Sequence, residues 1–116
     1  MLAKANRLRK ADDFRATMKF GRKASSETIV LYLKRDSDLD QSRFGFIVSK
    51  AVGNAVTRNL VKRRLRAAAL QSLSKLPENL SIVARALPAA ASVDWNKLCL
   101  DFETALERLG AGLRHE

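Results

Sequence analysis

RFGFIVSKAVGNAVTRNLVKRRLR, residues 43–66, combines a strand, a turn and the start of a helix in one continuous run. Residues 43–49 are rich in aromatic and β-branched side chains, which predicts a strand. A turn follows, and Asn54 or Thr57 is expected to cap a long helix that ends near residues 76–77. This run therefore predicts a strand followed by a helix.

The predicted long helix is two-sided. On a 3.6-residue wheel one stripe forms the expected core face and contains Val61, Leu65, Ala68, Ala69 and Leu76. The remaining surface is polar and mostly basic: Arg58 and Lys62 at its flanks, Asn59, Arg63 and Arg66 opposite the core, and Arg64 off the core face. Arginine suits phosphate because its planar fork donates two parallel hydrogen bonds and stays charged.

The positive charge is concentrated in the first two thirds of the chain. The 116 residues hold 22 Lys+Arg against 12 Asp+Glu, a formal net charge of +10. Residues 1–75 hold 18 basic and 6 acidic side chains, whereas residues 76–116 hold 4 and 6. This asymmetry indicates a polyanion partner. A merely solvated basic helix face is the alternative, but residues 43–75 contain no acid to pair with it.

The other elements predict an α+β fold in which helices cover a single sheet. A short first helix over 14–20 is expected after Asp12 and Asp13, with Gly21 closing it. Further strands are expected at 28–33 and 80–84, and a last helix from Ser92 or Asp94 to about Leu109. Residues 21–27 could add a short strand. We expect one domain over residues 1–116.

Several classes of protein are disfavoured. No run is apolar enough to span a membrane, and the charged N-terminus is unlike a secretory signal. The single cysteine, Cys99, fits a cytoplasmic location, and the single histidine, His115, is expected to be solvated. A self-sufficient nuclease would need clustered carboxylates or an acid–base set, and the acids here are scattered. No metal site and no catalytic residue is therefore expected in the chain.

Residues 43–66 closely resemble the signature region of the bacterial ribonuclease P protein component. The resemblance rests on Ser49-Lys50, on residues 53–56, on Arg58-Asn59 and on the spacing of Lys62, Arg63 and Arg66. Asn6 to Lys10, Asp13-Phe14, Gly21 and residues 30–32 also match, so the resemblance covers roughly residues 6–88. Two positions depart from it. Leu60 stands where the family motif has an arginine, and Met18 where relatives often carry an aromatic residue.

The resemblance implies a function. Members are the small protein subunit of a ribonucleoprotein that removes the 5′ leader of precursor tRNA, and the RNA subunit is the catalyst, with Mg²⁺ bound by that RNA. The implied partners are the catalytic RNA and precursor tRNA, with no membrane and no required protein partner. The implied fold resembles the second domain of ribosomal protein S5, with a left-handed crossover between parallel strands, an exception to the usual hand.

The resemblance also implies two sets of site residues. The RNA subunit would be bound by Arg58, Asn59, Lys62, Arg63, Arg64 and Arg66. The single-stranded leader would lie in a cleft between the sheet and the first helix, at Phe14, Met18, Tyr32, Ser49 and Lys50. Stacking on rings plus backbone charge is how proteins hold single strands without a base code. Core packing is the alternative for Phe14 and Tyr32. We expect Phe44 and Phe46 to be core residues, and Trp95 to be a core residue or a surface cap. A basic structural RNA-binding protein of the ribosome is the alternative function.

Overall fold

The computed structural model describes residues 2–77 and 79–110. These residues form three α-helices and four strands, in the order α1 (Ala11–Phe20), β1 (Arg22–Ser25), β2 (Ile29–Arg35), β3 (Arg43–Ile47), α2 (Ala55–Leu73), β4 (Leu80–Ala86) and α3 (Trp95–Arg108). Short 3₁₀ turns over Lys4–Asn6 and Pro88–Ala91 precede α1 and α3.

The four strands form one sheet in the order β1-β2-β4-β3. The pairs β1–β2 and β2–β4 are antiparallel, and β3 and β4 are parallel. Parallel strands need a crossover connection, which α2 supplies between β3 and β4. The expected α+β class with a single sheet packed by helices is thus confirmed, and the left-handed sense of the crossover stays a prediction.

Helices cover both faces of the sheet, and β2 shows why. Successive side chains of a strand point to opposite faces. Ile29, Leu31 and Leu33 join the larger core with α2 and α3, whereas Val30 and Tyr32 join a smaller cluster with α1. All five are buried, so residues 29–33 of β2 form an unbroken apolar run. The arrangement places α1 on one face and α2 on the other.

α1 begins earlier than expected, at Ala11. The Lys10 carbonyl accepts the backbone N–H groups of Asp13 and Phe14, so Lys10 is the N-cap. Asp12 lies inside the first turn, where the helix dipole favours a carboxylate. Gly21 ends α1 as expected, and a Cβ there would lie 2.7 Å from the Leu33 carbonyl oxygen.

α2 ends at Leu73, before the expected residues 76–77. The N–H groups of Lys75 and Leu76 bond to the carbonyls of Ser72 and Leu73, which tightens the chain into a turn. Leu76 is still buried, but it enters the core from this turn. At the other end Asn54 is the cap: its Oδ1 accepts the Thr57 N–H over 2.9 Å.

Strand pairing also explains why β2, β3 and β4 end at other residues than the sequence predicted. β2 and β4 extend to Arg35 and Ala86 because Arg35 pairs with Leu80, and Ile29 with Ala86. β3 stops at Ile47, which pairs with Arg85 near the end of β4.

The remaining expectations concern β1, α3 and the aromatic residues. Residues 22–25 do form the extra strand that the sequence left open. Asp94 caps α3, its Oδ1 accepting the Lys97 N–H. Phe44 is fully buried, and Phe46 and Trp95 are half-buried against the same core. The assignments of Phe44 and Phe46 to the core are confirmed, and of the two alternatives for Trp95 the core position is the one observed.

Candidate nucleic-acid interface

The basic face of α2 lies opposite a fully formed core stripe. Val61, Leu65, Ala68 and Ala69 are buried against the sheet and α3, as the helical wheel predicted. Asn59 and Arg63 are therefore turned to solvent and are exposed. Arg58 and Lys62 flank the stripe and are half-buried. Arg66, which was expected opposite the core, is half-buried as well. Long side chains of this kind bury their stems and keep the charged head at the surface.

Arg64 differs from the other arginines of α2. Its Nη1 donates to the Val93 carbonyl over 3.0 Å, so the side chain ties α2 to the segment that precedes α3. Half-buried and hydrogen-bonded within the protein, Arg64 has less of its donor fork available for an external phosphate. The structure thus places it with the scaffold as well as near the basic face.

Arg58 differs from Arg64 in its hydrogen bonding. Its Nε is buried and has no hydrogen-bond partner within residues 2–77 and 79–110. A buried charged donor left unpaired costs about 1–3 kcal/mol or more. A bound anion at this end of α2 would therefore relieve a cost that the free protein already bears.

Leu60 is an apolar residue that interrupts the basic face at the same end of α2. Leu60 is 38% exposed, and Val56, one turn earlier, is 79% exposed. Residue 60, where the family motif has an arginine, is thus at the surface, and it carries no positive charge in this chain. The basic face continues past Leu60 through Lys62, Arg63 and Arg66.

A groove of about 350 Å³ runs along the C-terminal part of this face. Leu2, Ala67 and Leu70 supply apolar walls, and Arg7, Arg63 and Arg66 supply three guanidinium groups. Apolar walls with a few placed polar groups are the usual composition of a ligand groove. The N-terminal segment therefore adds a charged residue, Arg7, to the surface that the sequence assigned to α2 alone.

The second candidate region lies on the opposite face of the sheet. Leu8, Val30, Tyr32 and Val83 form a buried cluster, against which pack the half-buried Phe14, Met18, Ile47 and Leu87. The structure brings Phe14, Met18 and Tyr32 together between α1 and the sheet, as the resemblance implied. We call the open edge of this region the α1 cleft.

Tyr32 contributes less accessible surface to the α1 cleft than a stacking platform needs. It is only 9% exposed, whereas Phe14 and Met18 are half-buried. The Tyr32 ring is therefore chiefly a packing element in the free protein. Phe14 is the more accessible aromatic ring of the cluster.

Ser49 and Lys50 follow the end of β3, and both are exposed. Their carbonyls accept the N–H groups of Val52 and Gly53, which shapes the turn into α2. Along the chain they connect β3, whose Ile47 packs against the apolar cluster, to the basic helix.

Two basic residues of the α1 cleft were missed at the sequence level. Lys23 pairs with Tyr32, and Arg85 pairs with Val30 on β2 and Ile47 on β3. Directly paired residues share a face of the sheet, so both exposed side chains rise from the face that carries the apolar cluster. Arg85 could have been found by alternation, because it is two residues from Val83. Lys23 could not have been found in this way, because the sequence left the strand at residues 21–27 open.

Buried polar groups on the α3 side serve the scaffold. Asp101 Oδ2 accepts a 2.6 Å hydrogen bond from Thr28 Oγ1, and Oδ1 lies 3.2 Å from Lys97 Nζ. Burial pushes the pKa of Asp101 up, but these bonds outweigh it and hold the pKa below its usual value. The same contact raises the pKa of Lys97. Burial raises the pKa of the Cys99 thiol, which makes it a poor nucleophile.

Residues 2–77 and 79–110 contain neither a metal-ligand cluster nor a membrane-spanning helix. There, no three His, Cys, Asp or Glu side chains lie close enough together to hold a metal ion. In the same part of the chain, every helix is too short or too polar to cross a bilayer. His115 lies outside the described residues.

The fold and these surfaces define an α+β protein with a basic helix on one face of its sheet and a partly apolar, basic-edged cleft on the other. Comparison with known proteins is consistent with that description. The family model "Ribonuclease P" matches residues 2–110. The chain therefore belongs to the ribonuclease P protein family.

Individual relatives agree with this assignment. The chain is 50% identical to the ribonuclease P protein component of an Arthrobacter species, covering 97% of this chain and 86% of that protein. It is 45% identical to that of a Nocardioides species, covering 96% and 97%.

Solved structures give the same result. The RNase P protein of Staphylococcus aureus superposes with a TM-score of 0.86 at 28% identity, covering 94% of this chain and 99% of that one. The protein from Thermotoga maritima superposes with a TM-score of 0.78 at 26% identity, covering 88% and 96%.

Proposed function

We propose that this protein is the protein subunit of ribonuclease P and acts in removing the 5′ leader of precursor tRNA. It binds the catalytic RNA subunit through the basic face of α2. It holds the single-stranded leader in the α1 cleft. The observation that carries the proposal is the α2 face itself, a row of Arg and Lys side chains without acids, opposite a buried stripe, in a member of this family.

The α1 cleft supports the second half of the proposal. A single strand is held by stacking on exposed rings and by charge along its backbone. Phe14 offers the accessible ring, and Lys23 and Arg85 offer the charge on the same sheet face. Because α1 and α2 lie on opposite faces of the sheet, the leader and the RNA subunit can be bound at the same time.

The chemistry in this proposal belongs to the RNA subunit. Cleavage needs metal-activated water or an acid–base set. The ion is assigned to the RNA, and the protein contributes binding and positioning. We accordingly place the protein in the cytoplasm with its RNA partners. Membership of the family speaks against the alternative of a structural ribosomal protein.

Reconstitution tests the proposal. The purified chain is mixed with a transcribed bacterial ribonuclease P RNA at a low Mg²⁺ concentration, where the RNA alone is weakly active, and a precursor tRNA is added. The expected result is site-specific release of the leader by the mixture, and none by the protein alone. Mg²⁺-dependent cleavage at the same site by RNA-free protein would overturn the non-catalytic role, and a mixture no faster than RNA alone would overturn the subunit assignment.

A further inference from the structure

A separate basic pocket lies where the N-terminal segment meets the beginning of β3. It has a volume of about 300 Å³. Five basic side chains and one acidic side chain line it, giving four net positive charges: Lys4, Arg7, Arg9, Lys10 and Arg43 against Asp13. It is neither on the outward face of α2 nor within the apolar cluster under α1.

Backbone and side-chain hydrogen bonds fix the N-terminal segment in place. The Leu8 N–H donates to the Phe44 carbonyl over 2.8 Å, and Arg7 forms a parallel bridge with Phe44. The buried Asn6 donates through Nδ2 to the Ser42 carbonyl over 2.8 Å. The charges on this segment are therefore held beside Arg43 before any ligand arrives, which reduces the ordering cost of binding.

Arg43 carries an unmet hydrogen-bonding requirement. Its Nε is buried and has no partner in the part of the chain that the structure describes, although the side chain as a whole is half-buried. The acids near it do not satisfy that atom: Asp13 lines the pocket, and Asp36, which lines an adjoining cavity with Arg43, lies 3.8 Å from Lys34 Nζ. A buried donor of this kind is stabilised by an anion that reaches it.

The beginning of α1 adds to the positive potential. Lys10 is the N-cap residue and makes no side-chain capping bond. Helix N-termini favour anions through their free N–H groups and the helix dipole. Asp13 partly offsets this, and Asp12 is paired with Arg15 on the outer side of the helix.

We propose that this pocket binds a single phosphate group of an RNA backbone. Phosphate matches the site because it accepts several charge-assisted hydrogen bonds at once from the guanidinium and ammonium groups that line it. Assignment of the phosphate to RNA rests on the proposed function. The phosphate belongs either to the catalytic RNA, because Arg7 also lines the groove beside α2, or to the leader, because α1 borders the cleft.

The binding of phosphate itself is tested on the full chain without RNA. Inorganic phosphate is titrated at constant ionic strength against chloride, and the arginine side-chain Nε–H resonances are followed by NMR. We expect the Arg43 resonance to shift and saturate, and Arg9→Ala/Lys10→Ala to weaken binding by roughly tenfold or more. Arg35→Ala/Lys75→Ala, which also removes two exposed charges, is the control and should bind as wild type does. An unchanged Arg43 resonance, or equal drift of all arginines, would overturn the site.

Two RNA measurements then identify the source of the phosphate. If Arg9→Ala/Lys10→Ala weakens binding to the catalytic RNA, the phosphate is the subunit's; if it lowers the preference for precursor over mature tRNA, the phosphate is the leader's. Either result supports the proposal. If phosphate binds but neither RNA measurement moves, the pocket takes an adventitious ion only and the proposal is wrong. If the wild-type chain binds neither RNA, the proposed function fails separately, whatever the phosphate titration gives.

Discussion

Phe14 of α1 lies directly against Gly45 of β3. A Cβ atom added at Gly45 would lie 2.5 Å from Cζ of Phe14, closer than side chains pack. The missing side chain at Gly45 is thus what allows the Phe14 ring to approach the sheet this closely. The relationship connects a position in β3 to the most accessible ring of the proposed leader site.

Gly45→Ala is expected to displace Phe14 and lower the free energy of unfolding by about 1–3 kcal/mol, the usual cost of overpacking. Denaturant unfolding measures it. Phe14→Leu in the Gly45→Ala background should cost less than in the wild type, because the smaller side chain relieves the overlap. Additive effects of the two substitutions would show that the contact is unimportant.

Arg63→Ala/Arg66→Ala is expected to weaken binding to the catalytic RNA and to flatten its salt dependence. Each phosphate contact displaces counterions, so the slope of log affinity against log salt should fall by about two, roughly one for each contact. Filter binding over a salt series measures both. Arg35→Ala/Lys75→Ala should leave the slope close to that of the wild type. An equal loss of slope in the two double variants would mean that the α2 face contributes only non-specific positive charge.

Substitutions at Tyr32 measure how much its ring contributes to packing. Because the ring is buried, Tyr32→Ala is expected to destabilise the fold by about 3–5 kcal/mol, as large-to-small core substitutions do. Tyr32→Phe keeps the ring and should retain nearly full stability. Thermal melting followed by circular dichroism distinguishes them. A Tyr32→Ala protein with wild-type stability would mean that the ring is not a packing element.

The Thr28–Asp101 hydrogen bond predicts a pH-dependent loss of stability. The folded pKa of Asp101 is lowered, so its contribution is present above the ordinary value of 3.8 and is lost as pH falls through the folded pKa. Thr28→Val should cost about 1–3 kcal/mol near neutral pH, because it leaves a buried carboxylate oxygen unpaired. Urea unfolding should show that the stability difference between the wild type and Thr28→Val becomes smaller as the pH falls into the acid range. A difference that stays constant with pH would exclude this carboxylate as its source.

Much of the fold was predictable from the sequence because local signals agreed with the tertiary structure. The first five residues of β2 are continuously apolar, and α2 has both an Asn54 cap and a regular buried stripe. β1 was not predictable, since Arg22–Ser25 lacks the apolar residues typical of a strand and is fixed by pairing with β2. The end of α2 was overestimated because Leu76 continues the helical spacing while lying in a turn.

The candidate site was less predictable than the fold. The α2 face lies on one helix, so a wheel located it, but the role of Arg64 depends on where Val93 lies. The α1 cleft is assembled from α1 and all four strands. Alternation along β4 could place Arg85 on this face of the sheet, but Lys23 is located only by its register with β2. The unpartnered Nε atom of Arg43 depends on tertiary packing and has no sequence signal.

The proposed function places two separate RNA sites on opposite faces of one sheet. The direct measurement is the affinity of the reconstituted complex for precursor and for mature tRNA, made with Lys23→Ala/Arg85→Ala beside Arg63→Ala/Arg66→Ala. We expect the first variant to lose about tenfold of the preference for precursor while still binding the catalytic RNA normally. The second should lose affinity for the catalytic RNA and, once saturated with it, keep the preference. If both folded variants weakened both interactions equally, the two-site account would be contradicted.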